Sequence, residues 1–346
     1  MKKIISVLIA LALCVSAVFC FASCGEKAQN DTKDTDTSKT VDTDSPSKTD
    51  PIRVGVIQYM SHPSLDNCFE GIKEALTTLS PDIVIDRQTG SSASADADCT
   101  TYAKNMVASG YDMIIAIATP AAKAAFTATA DTDIPVIFCA VSDPVLAGLV
   151  NTLEVPGDNC TGTSDVLDLE AQVNLITALQ PDVKSIGILY TSSEDNSISN
   201  LARFREICDA RNIEVVAKAV QNASDIPSAA TGLAAEVDCI NNFTDNNVVN
   251  NLSVVLSAAD SYGIPVYGSE VEQVSNGCLA SVSIDYVALG KVTGEMAFDV
   301  LEGADAASMA VRTISDATPV VNLDVLAALE IELPEEFADA EKVTTK

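Results

Sequence analysis

Hydroxyl and carboxyl side chains recur where predicted strands end, and together they could bind a small zwitterion. Thr119-Pro120 and Ser192-Ser193 each precede a predicted helix. Free N–H groups at a helix start can bind a carboxylate without any arginine. The candidates for pairing with an ammonium group are Asp165, Asp245 and Asp285, and Asp245 is favoured because it directly follows a predicted strand.

Basic side chains are absent from these strand-end segments. We therefore expect a ligand carboxylate to lie against the amides and hydroxyls of Thr119, Ala121 and the two serines at 192–193. Tyr59 and His62 could stack on an aromatic ring. Other roles are open for several of these residues, since Thr119 is suited to capping a helix and His62 to packing within a loop.

Several function classes do not fit this chain. A net charge of −29 argues against nucleic acid or anionic lipid as a partner, because phosphate binding needs clustered Lys and Arg. No Gly-x-Ser-x-Gly motif and no glycine-rich phosphate loop occurs, and His62 is the only histidine. We therefore expect a protein that is not an enzyme and that uses no cofactor and no metal.

The first fifty residues predict export and membrane attachment. Residues 1–23 have two lysines, an apolar run and small residues before a cleavage point, as in a secretory signal peptide. Ala22-Ser23-Cys24 resembles a bacterial lipobox, which implies that Cys24 carries lipid after cleavage. Residues 24–50 then form a predicted lipid anchor and disordered linker, because their Asp, Thr, Ser and Lys cannot build a core. An ordinary secreted protein is the alternative.

Cysteines number ten, and seven follow Cys24. Several of the seven lie in apolar runs, so we expect them to act as small buried hydrophobic residues. Disulfides between Cys139 and Cys160, or between Cys68 and Cys99, are the alternative. An odd count and the lack of any Cys-x-x-Cys spacing do not favour them.

From Pro51 onward, short apolar runs alternate with segments of helical periodicity. Ile52–Ile57 and Met113–Ala118 are predicted strands, and Pro63–Leu79 is a predicted helix. A second series begins at Ser185, and its last predicted helix covers Asn247–Tyr262. This pattern predicts an α/β fold of two lobes, each built on a doubly wound parallel sheet. Ligands of such sheets bind beyond the carboxyl ends of the strands, which puts the ligand cleft between the lobes.

Taken in order, the strand-end segments resemble a known family. They include Gln58–Asp66, Ala118–Ala122, Ala140–Pro144, Tyr190–Ser197 and Phe243–Asn246. Over residues 52–337 the chain is similar to the ABC transporter substrate-binding proteins that include tryptophan- and tyrosine-binding lipoproteins. The resemblance implies a type I periplasmic-binding-protein fold, an extracytoplasmic location at the cell membrane, and an ABC permease and ATPase as partners.

On this resemblance, residues 51–162 and 284–315 form the N-terminal lobe, and residues 163–283 and 316–346 form the C-terminal lobe. Crossings between the lobes are expected near 161–164, 281–285 and 311–320. The ligand is expected to be an amino acid, preferably aromatic; a smaller amino acid or another small organic molecule stays open. Delivery to a permease is expected, and a ligand-sensing receptor domain is the alternative.

The predicted ligand-binding residues share a position at or just beyond a predicted strand end: Gln58, Tyr59, His62, Thr119, Pro120, Ala121, Ser142, Asp143, Ser164, Asp165, Ser192, Ser193, Asn196, Thr244, Asp245, Ser269 and Asp285.

Overall fold

The computed structural model describes residues 51–314 and 317–346. The predicted signal peptide, Cys24 and the linker up to residue 50 lie outside the described residues. Strands and helices are numbered in chain order below. The strands are β1 (Arg53–Gln58), β2 (Val84–Thr89), β3 (Met113–Ile117), β4 (Val136–Cys139), β5 (Cys160–Ser164), β6 (Ser185–Thr191), β7 (Glu214–Val220), β8 (Cys239–Asn241), β9 (Val266–Tyr267), β10 (Ala280–Ser283), β11 (Arg312–Thr313), β12 (Thr318–Asn322) and β13 (Glu341–Val343).

Helices alternate with most of these strands. They are α1 (Pro63–Leu79), α2 (Ala95–Ala108), α3 (Thr119–Thr129), α4 (Leu169–Leu179), α5 (Asp195–Asp209), α6 (Ile226–Ala234), α7 (Asn246–Asn250), α8 (Leu252–Asp260), α9 (Val271–Ser275), α10 (Tyr286–Leu301) and α11 (Leu323–Ala328). Single 3₁₀ turns cover Ala223–Asp225 and Glu335–Phe337.

The first lobe is built on a six-stranded sheet in the order β11-β5-β4-β3-β1-β2, in which every pairing is parallel. All residues of β3 and β4 are buried. Their continuous apolar runs fit a sheet covered on both faces, since crossover helices pack on each side of a parallel sheet. Helices α1, α2, α3 and α10 contribute to the same hydrophobic core as these strands.

The second lobe contains a four-stranded parallel sheet in the order β7-β6-β8-β9. Beside it lies a small sheet in the order β10-β12-β13, in which β10 and β12 are antiparallel. Residues of both sheets share one hydrophobic core. The fold is therefore the predicted mixed α/β arrangement with parallel sheets.

Three segments of the chain pass between the two lobes. They lie between β5 and α4, between β10 and α10, and between β11 and β12. Helix α10 returns to the first lobe and packs against α1 through glycines, because a Cβ at Gly290 would lie 2.1 Å from the carbonyl oxygen of Cys68. The exact lobe boundaries given above stay a prediction.

Two predicted helices differ from the structure. Helix α5 begins at Asp195 rather than Ser197, because residues 194–196 already take part in its first turn. The single helix predicted over 247–262 is two helices, α7 and α8, separated at Asn251, whose φ of −115° and ψ of 23° leave the helical region. Asparagine tolerates such conformations well, and apolar periodicity does not report the break.

All seven cysteines of the described residues are buried and form no disulfide, as expected for small hydrophobic side chains. Within residues 51–314 and 317–346, no helix has the length and apolar character needed to cross a bilayer.

Candidate ligand-binding cleft

A small cavity lies between the lobes, at the carboxyl ends of the strands. The first lobe contributes His62, Leu65, Ala118, Thr119, Ala140, Ser142 and Tyr286. The second lobe contributes Asp165, Asn196, Thr244, Asn246 and Glu270.

Two lining alanines have backbone conformations that favour glycine. Ala118 follows β3 with a φ of 81°, and Ala140 follows β4 with a φ of 55°. Such conformations cost about 1–3 kcal/mol each for a residue with a Cβ, and they tend to occur at functional sites. Ala118 directly precedes Thr119 and Ala121 in the first turn of α3. The N–H groups of that turn have no acceptor within the helix, so they can meet an anionic group in the cavity.

Two carboxyl groups in the cavity wall are buried without a basic partner. Asp165 is 3% exposed, and its oxygens accept from the hydroxyls of Ser142 at 2.9 Å and Tyr286 at 3.2 Å. Glu270 is 2% exposed and accepts from the Gln273 amide at 3.2 Å. Burial raises the pKa of Asp165, while burial and the charge of Glu272 raise the pKa of Glu270 to about 8. A cation entering the cavity would relieve both desolvated acids.

Asp245 has a different role from the one expected. It is fully buried and forms the N-cap of α7 by accepting from the Val248 N–H at 3.0 Å. The same carboxylate accepts from the Thr191 N–H at 2.6 Å, the Thr191 hydroxyl at 2.8 Å and the Ser197 hydroxyl at 2.7 Å. Because these four hydrogen bonds occupy both oxygens, Asp245 does not face the cavity as an ammonium partner would.

Several polar atoms of the cavity wall lack a partner within the described residues. They are His62 Nδ1, Asn196 Oδ1 and the Thr244 hydroxyl. Leaving a buried polar group unpaired costs about 1–3 kcal/mol, so native structures rarely do so without a reason. A polar ligand would supply the missing hydrogen bonds.

Contacts between the lobes surround the cavity. Glu272 on α9 accepts from the Ser64 hydroxyl at 3.2 Å and the Asn67 amide at 2.6 Å, both on α1. Asp143 accepts from the Ser199 hydroxyl at 2.6 Å. Lys123 and Asp195 form a salt bridge between the lobes. The lobes therefore meet in a closed arrangement.

Six of the residues predicted from sequence line the cavity: His62, Thr119, Ser142, Asp165, Asn196 and Thr244. Pro120 and Ala121 lie beside it in the first turn of α3. The hydroxyl of Ser164 donates to the carbonyl oxygen of Ser142, and Ser269 donates to that of Asn242. Both serines therefore support the loops behind the wall.

The other predicted residues do not reach the cavity. Ser192 and Ser193 are exposed beyond β6, and Asp285 is exposed and caps α10 through the N–H groups of Val287 and Ala288. Gln58 is buried and donates to Asp66, while Asp143 forms its contact with Ser199 instead. Tyr59 is buried, and its burial, followed by the charge of Glu194, raises its pKa.

Sequence reasoning missed six lining residues: Leu65, Ala118, Ala140, Asn246, Glu270 and Tyr286. It also missed Glu194, which lies behind the wall. A signal existed for Glu270, because it follows β9 in a segment beside Ser269. No sequence signal marks the two alanines, since their importance lies in backbone conformation.

The model of the family described as ABC transporter substrate binding protein matches residues 53–344. This chain belongs to that family. The match covers nearly all of the described residues, so both lobes and the cavity between them are part of it.

Members of the family include close relatives of this chain. A protein from Clostridioides difficile (strain R20291) named tyrosine-binding protein is 37% identical over 337 residues, covering 96% of this chain and 93% of the relative. Proteins of the family bind solutes for ABC transporters and are not enzymes, as the sequence predicted.

Two solved structures of family relatives differ in how well they match. The structure of an ABC domain from Streptococcus pneumonia in complex with L-Trp has 38% identity and a TM-score of 0.81, covering 85% of this chain and all of that one. The ligand-free, open structure of a substrate binding protein with adhesive properties from Clostridium difficile has 35% identity but a TM-score of 0.65, over 85% and 99% of the two chains. These likenesses establish the type I periplasmic-binding fold. The two relatives have similar identity to this chain, but the open one has the lower TM-score. This difference agrees with a closed arrangement of the lobes in this protein.

Proposed function

We propose that this protein is the extracytoplasmic, lipid-anchored solute-binding component of an ABC importer, and that it binds a free aromatic amino acid. The observation that carries the proposal is the closed cavity with two buried acids and a helix start, whose lining includes no Lys or Arg among the described residues. A zwitterion is the ligand class that complements this pattern. The ligand is released unchanged to a permease.

In this proposal the ammonium group lies against Asp165, with Glu270 beside it. The two acids are close enough for the charge of Asp165 to contribute to the raised pKa of Glu270. An ammonium between them would replace mutual repulsion with attraction. Asp165 thus takes the role that was predicted for Asp245.

The ligand carboxylate lies at the start of α3, against the Thr119 hydroxyl and the N–H groups of the first turn. Leu65, His62 and Tyr286 supply apolar and aromatic surface for a side chain. The ligands in the names of the two relatives, tyrosine and L-Trp, are aromatic amino acids that carry an O–H or N–H on the ring. These names support the preference for an aromatic amino acid.

The ligand proposal is tested by a thermal-shift screen of the twenty amino acids, purines and simple sugars, followed by calorimetry on variants. Asp165→Asn should weaken amino-acid binding about thirtyfold or more, since an unpaired buried charge costs about 2–5 kcal/mol. The matched control is Asp285→Asn, which alters an exposed acid outside the cavity. Binding of sugars or purines but no amino acid would contradict the ligand class.

Membrane attachment is tested separately. Cells producing the full chain should incorporate labelled palmitate into it, and Cys24→Ala should abolish the label. Equal labelling in the two proteins would contradict the lipid anchor. For the importer role, uptake of labelled L-tyrosine should fall in a strain that lacks this protein and recover when it is restored.

A further inference from the structure

Glu194 lies directly behind the cavity wall and organises three side chains that line it. It is 1% exposed, and its neighbours in this group are Asn196, Asn246 and His62. We call these four residues the Glu194 cluster. The neighbours of each member determine which of its atoms donate and which accept. Together they determine whether the cavity wall offers donors or acceptors to a ligand.

Glu194 helps to orient two side-chain amides, and the carbonyl oxygen of Thr244 also accepts from the Nδ2 of Asn196 at 3.0 Å. Its Oε2 accepts from the Nδ2 of Asn246 at 2.7 Å and the Nδ2 of Asn196 at 3.2 Å. The backbone N–H groups of Asn246 and Asn247 donate to the same carboxyl at 3.1 and 3.3 Å. Because an unprotonated carboxyl oxygen only accepts, both amides turn their NH₂ groups toward Glu194 and their oxygens away from it.

This orientation does not depend on the charge of Glu194. Burial and the charge of Asp245 raise the pKa of Glu194 to about 8, and Tyr59 is the other titratable group that faces it. Both side-chain amides bond to Oε2. A proton carried on Oε1 therefore leaves the acceptor for the amides unchanged.

The orientation of Asn246 determines the tautomer of His62. Burial lowers the pKa of His62 to about 4, so the neutral ring carries a single N–H. His62 Nε2 lies 3.3 Å from Asn246 Oδ1, which is an acceptor, so the hydrogen is on Nε2. Nδ1 is then an acceptor in the cavity wall, and it has no partner in the described part of the chain. Asn196 Oδ1 is a second acceptor in the cavity wall, and it also lacks a partner in the described part of the chain.

We propose that Glu194 is a positioning residue that holds His62 Nδ1 and Asn196 Oδ1 as acceptors, and so selects an amino acid whose ring carries an O–H or N–H donor. This inference rests on the proposed function and adds the feature of the ligand that is recognised. L-Tyrosine and L-tryptophan each carry one ring hydrogen that can pair with one of these two acceptors. L-Phenylalanine has the same ring shape but leaves both acceptors buried and unpaired, which is the arrangement that discriminates best against an analogue lacking a hydroxyl.

Calorimetry with L-tyrosine, L-tryptophan and L-phenylalanine tests the selection. The wild-type protein should bind L-tyrosine at least about a hundredfold more tightly than L-phenylalanine. Glu194→Met removes the acceptor for the Asn246 amide, which is then free to turn and release the tautomer of His62, and should reduce that ratio about tenfold or more. Glu194→Gln should retain most of the ratio, because its amide oxygen can replace Oε2. A structural role alone would change both affinities together and leave the ratio intact.

Nuclear magnetic resonance tests the tautomer directly, because His62 is the only histidine. Protein labelled with ¹⁵N-histidine and made without a histidine tag gives signals from one ring. In the L-tyrosine complex we expect hydrogen on Nε2 and a ¹⁵N shift of an unprotonated, hydrogen-bonded Nδ1. In Asn246→Ala, which removes the acceptor for Nε2, we expect both tautomers and a weaker preference for L-tyrosine; this variant keeps the backbone bonds of Glu194.

Three outcomes distinguish a failure of the proposed amino-acid binding from a failure of the inferred selection by Glu194. A wild-type protein that binds no amino acid overturns the proposed function and this inference with it. Equal affinity for L-tyrosine and L-phenylalanine overturns the inference and leaves amino-acid binding intact. Hydrogen on His62 Nδ1 in the wild-type complex would also overturn the inference and leave amino-acid binding intact. Both results are measured on the wild-type protein, so neither requires a variant to fold.

Discussion

We expect Glu270 to release a proton when the ligand binds. Its pKa of about 8, raised by burial and by the charges of Glu272 and Asp165, means that the ligand-free group is mostly protonated at pH 7. An incoming ammonium favours the carboxylate, so binding expels a proton. Affinity for an amino acid should therefore rise as the pH increases from 6 to 8 and then level off.

The measurement is calorimetry at pH 7 in two buffers of different ionisation enthalpy, which gives the number of protons released. Glu270→Gln should reduce the release and flatten the pH dependence. The exposed Glu170→Gln is the control and should behave like wild type. Proton uptake by the wild-type protein would contradict the expected direction.

Individual site residues show which positions could be predicted from the sequence and which could not. Position at a strand end correctly indicated that Asp165 and Thr119 would line the cavity, because parallel strands share one carboxyl edge. The same reasoning failed for Asp245, since a short helix begins at the next residue and its N–H groups recruit the carboxylate. An acid at a strand end can accept from a nearby helix N-terminus or from a ligand ammonium. The order of residues in the sequence does not show which of these donors lies closer.

At the scale of elements, the contact between α1 and α10 depends on glycine. An added Cβ at Gly290 would lie 2.1 Å from the backbone oxygen of Cys68, so Gly290→Ala must push the two helices apart. Overpacking of this kind typically costs about 1–3 kcal/mol of unfolding free energy. Urea denaturation should show this loss.

A matched substitution elsewhere separates packing from helix propensity. Gly232 lies in α6, and a Cβ there meets only the end of the Lys218 side chain at 3.0 Å. Gly232→Ala should therefore leave stability unchanged or raise it by up to about 1 kcal/mol. Equal effects of the two substitutions would show that helix contact is not what constrains Gly290.

Helices α1 and α9 carry a contact that exists only when the lobes meet. Glu272 accepts from Ser64 and Asn67, so Glu272→Gln should weaken the closed state and lower ligand affinity several-fold. Its control is Glu74→Gln, which alters a pair with Lys291 inside the first lobe. An unchanged affinity in Glu272→Gln would mean that this contact does not stabilise closure.

Elements were predicted best where hydrophobic burial is continuous. Strands β1, β3 and β6 lie where apolar runs predict them, because a sheet covered on both faces leaves no position for alternation. Predictions were poorer where a single polar residue decides the structure. Asn251 ends one helix and precedes another, and the acid at 245 caps the first of them.

At the scale of the whole molecule, the described residues represent a closed state. Hydrogen bonds and a salt bridge join the lobes around the cavity. We expect the ligand-free protein to populate a more open state that closes by rotation at the three connecting segments. Small-angle scattering should give a smaller radius of gyration with saturating L-tyrosine. An unchanged radius, with binding verified by calorimetry, would argue against closure.

The most direct test of the central claim is a crystal structure of the protein grown with L-tyrosine. We predict one ligand enclosed between the lobes, with its ammonium within hydrogen-bond distance of Asp165 and its carboxylate at the first turn of α3. We also predict the phenol hydroxyl beside His62 Nδ1 or Asn196 Oδ1. An empty cavity under saturating ligand, or L-tyrosine bound outside it, would contradict the claim.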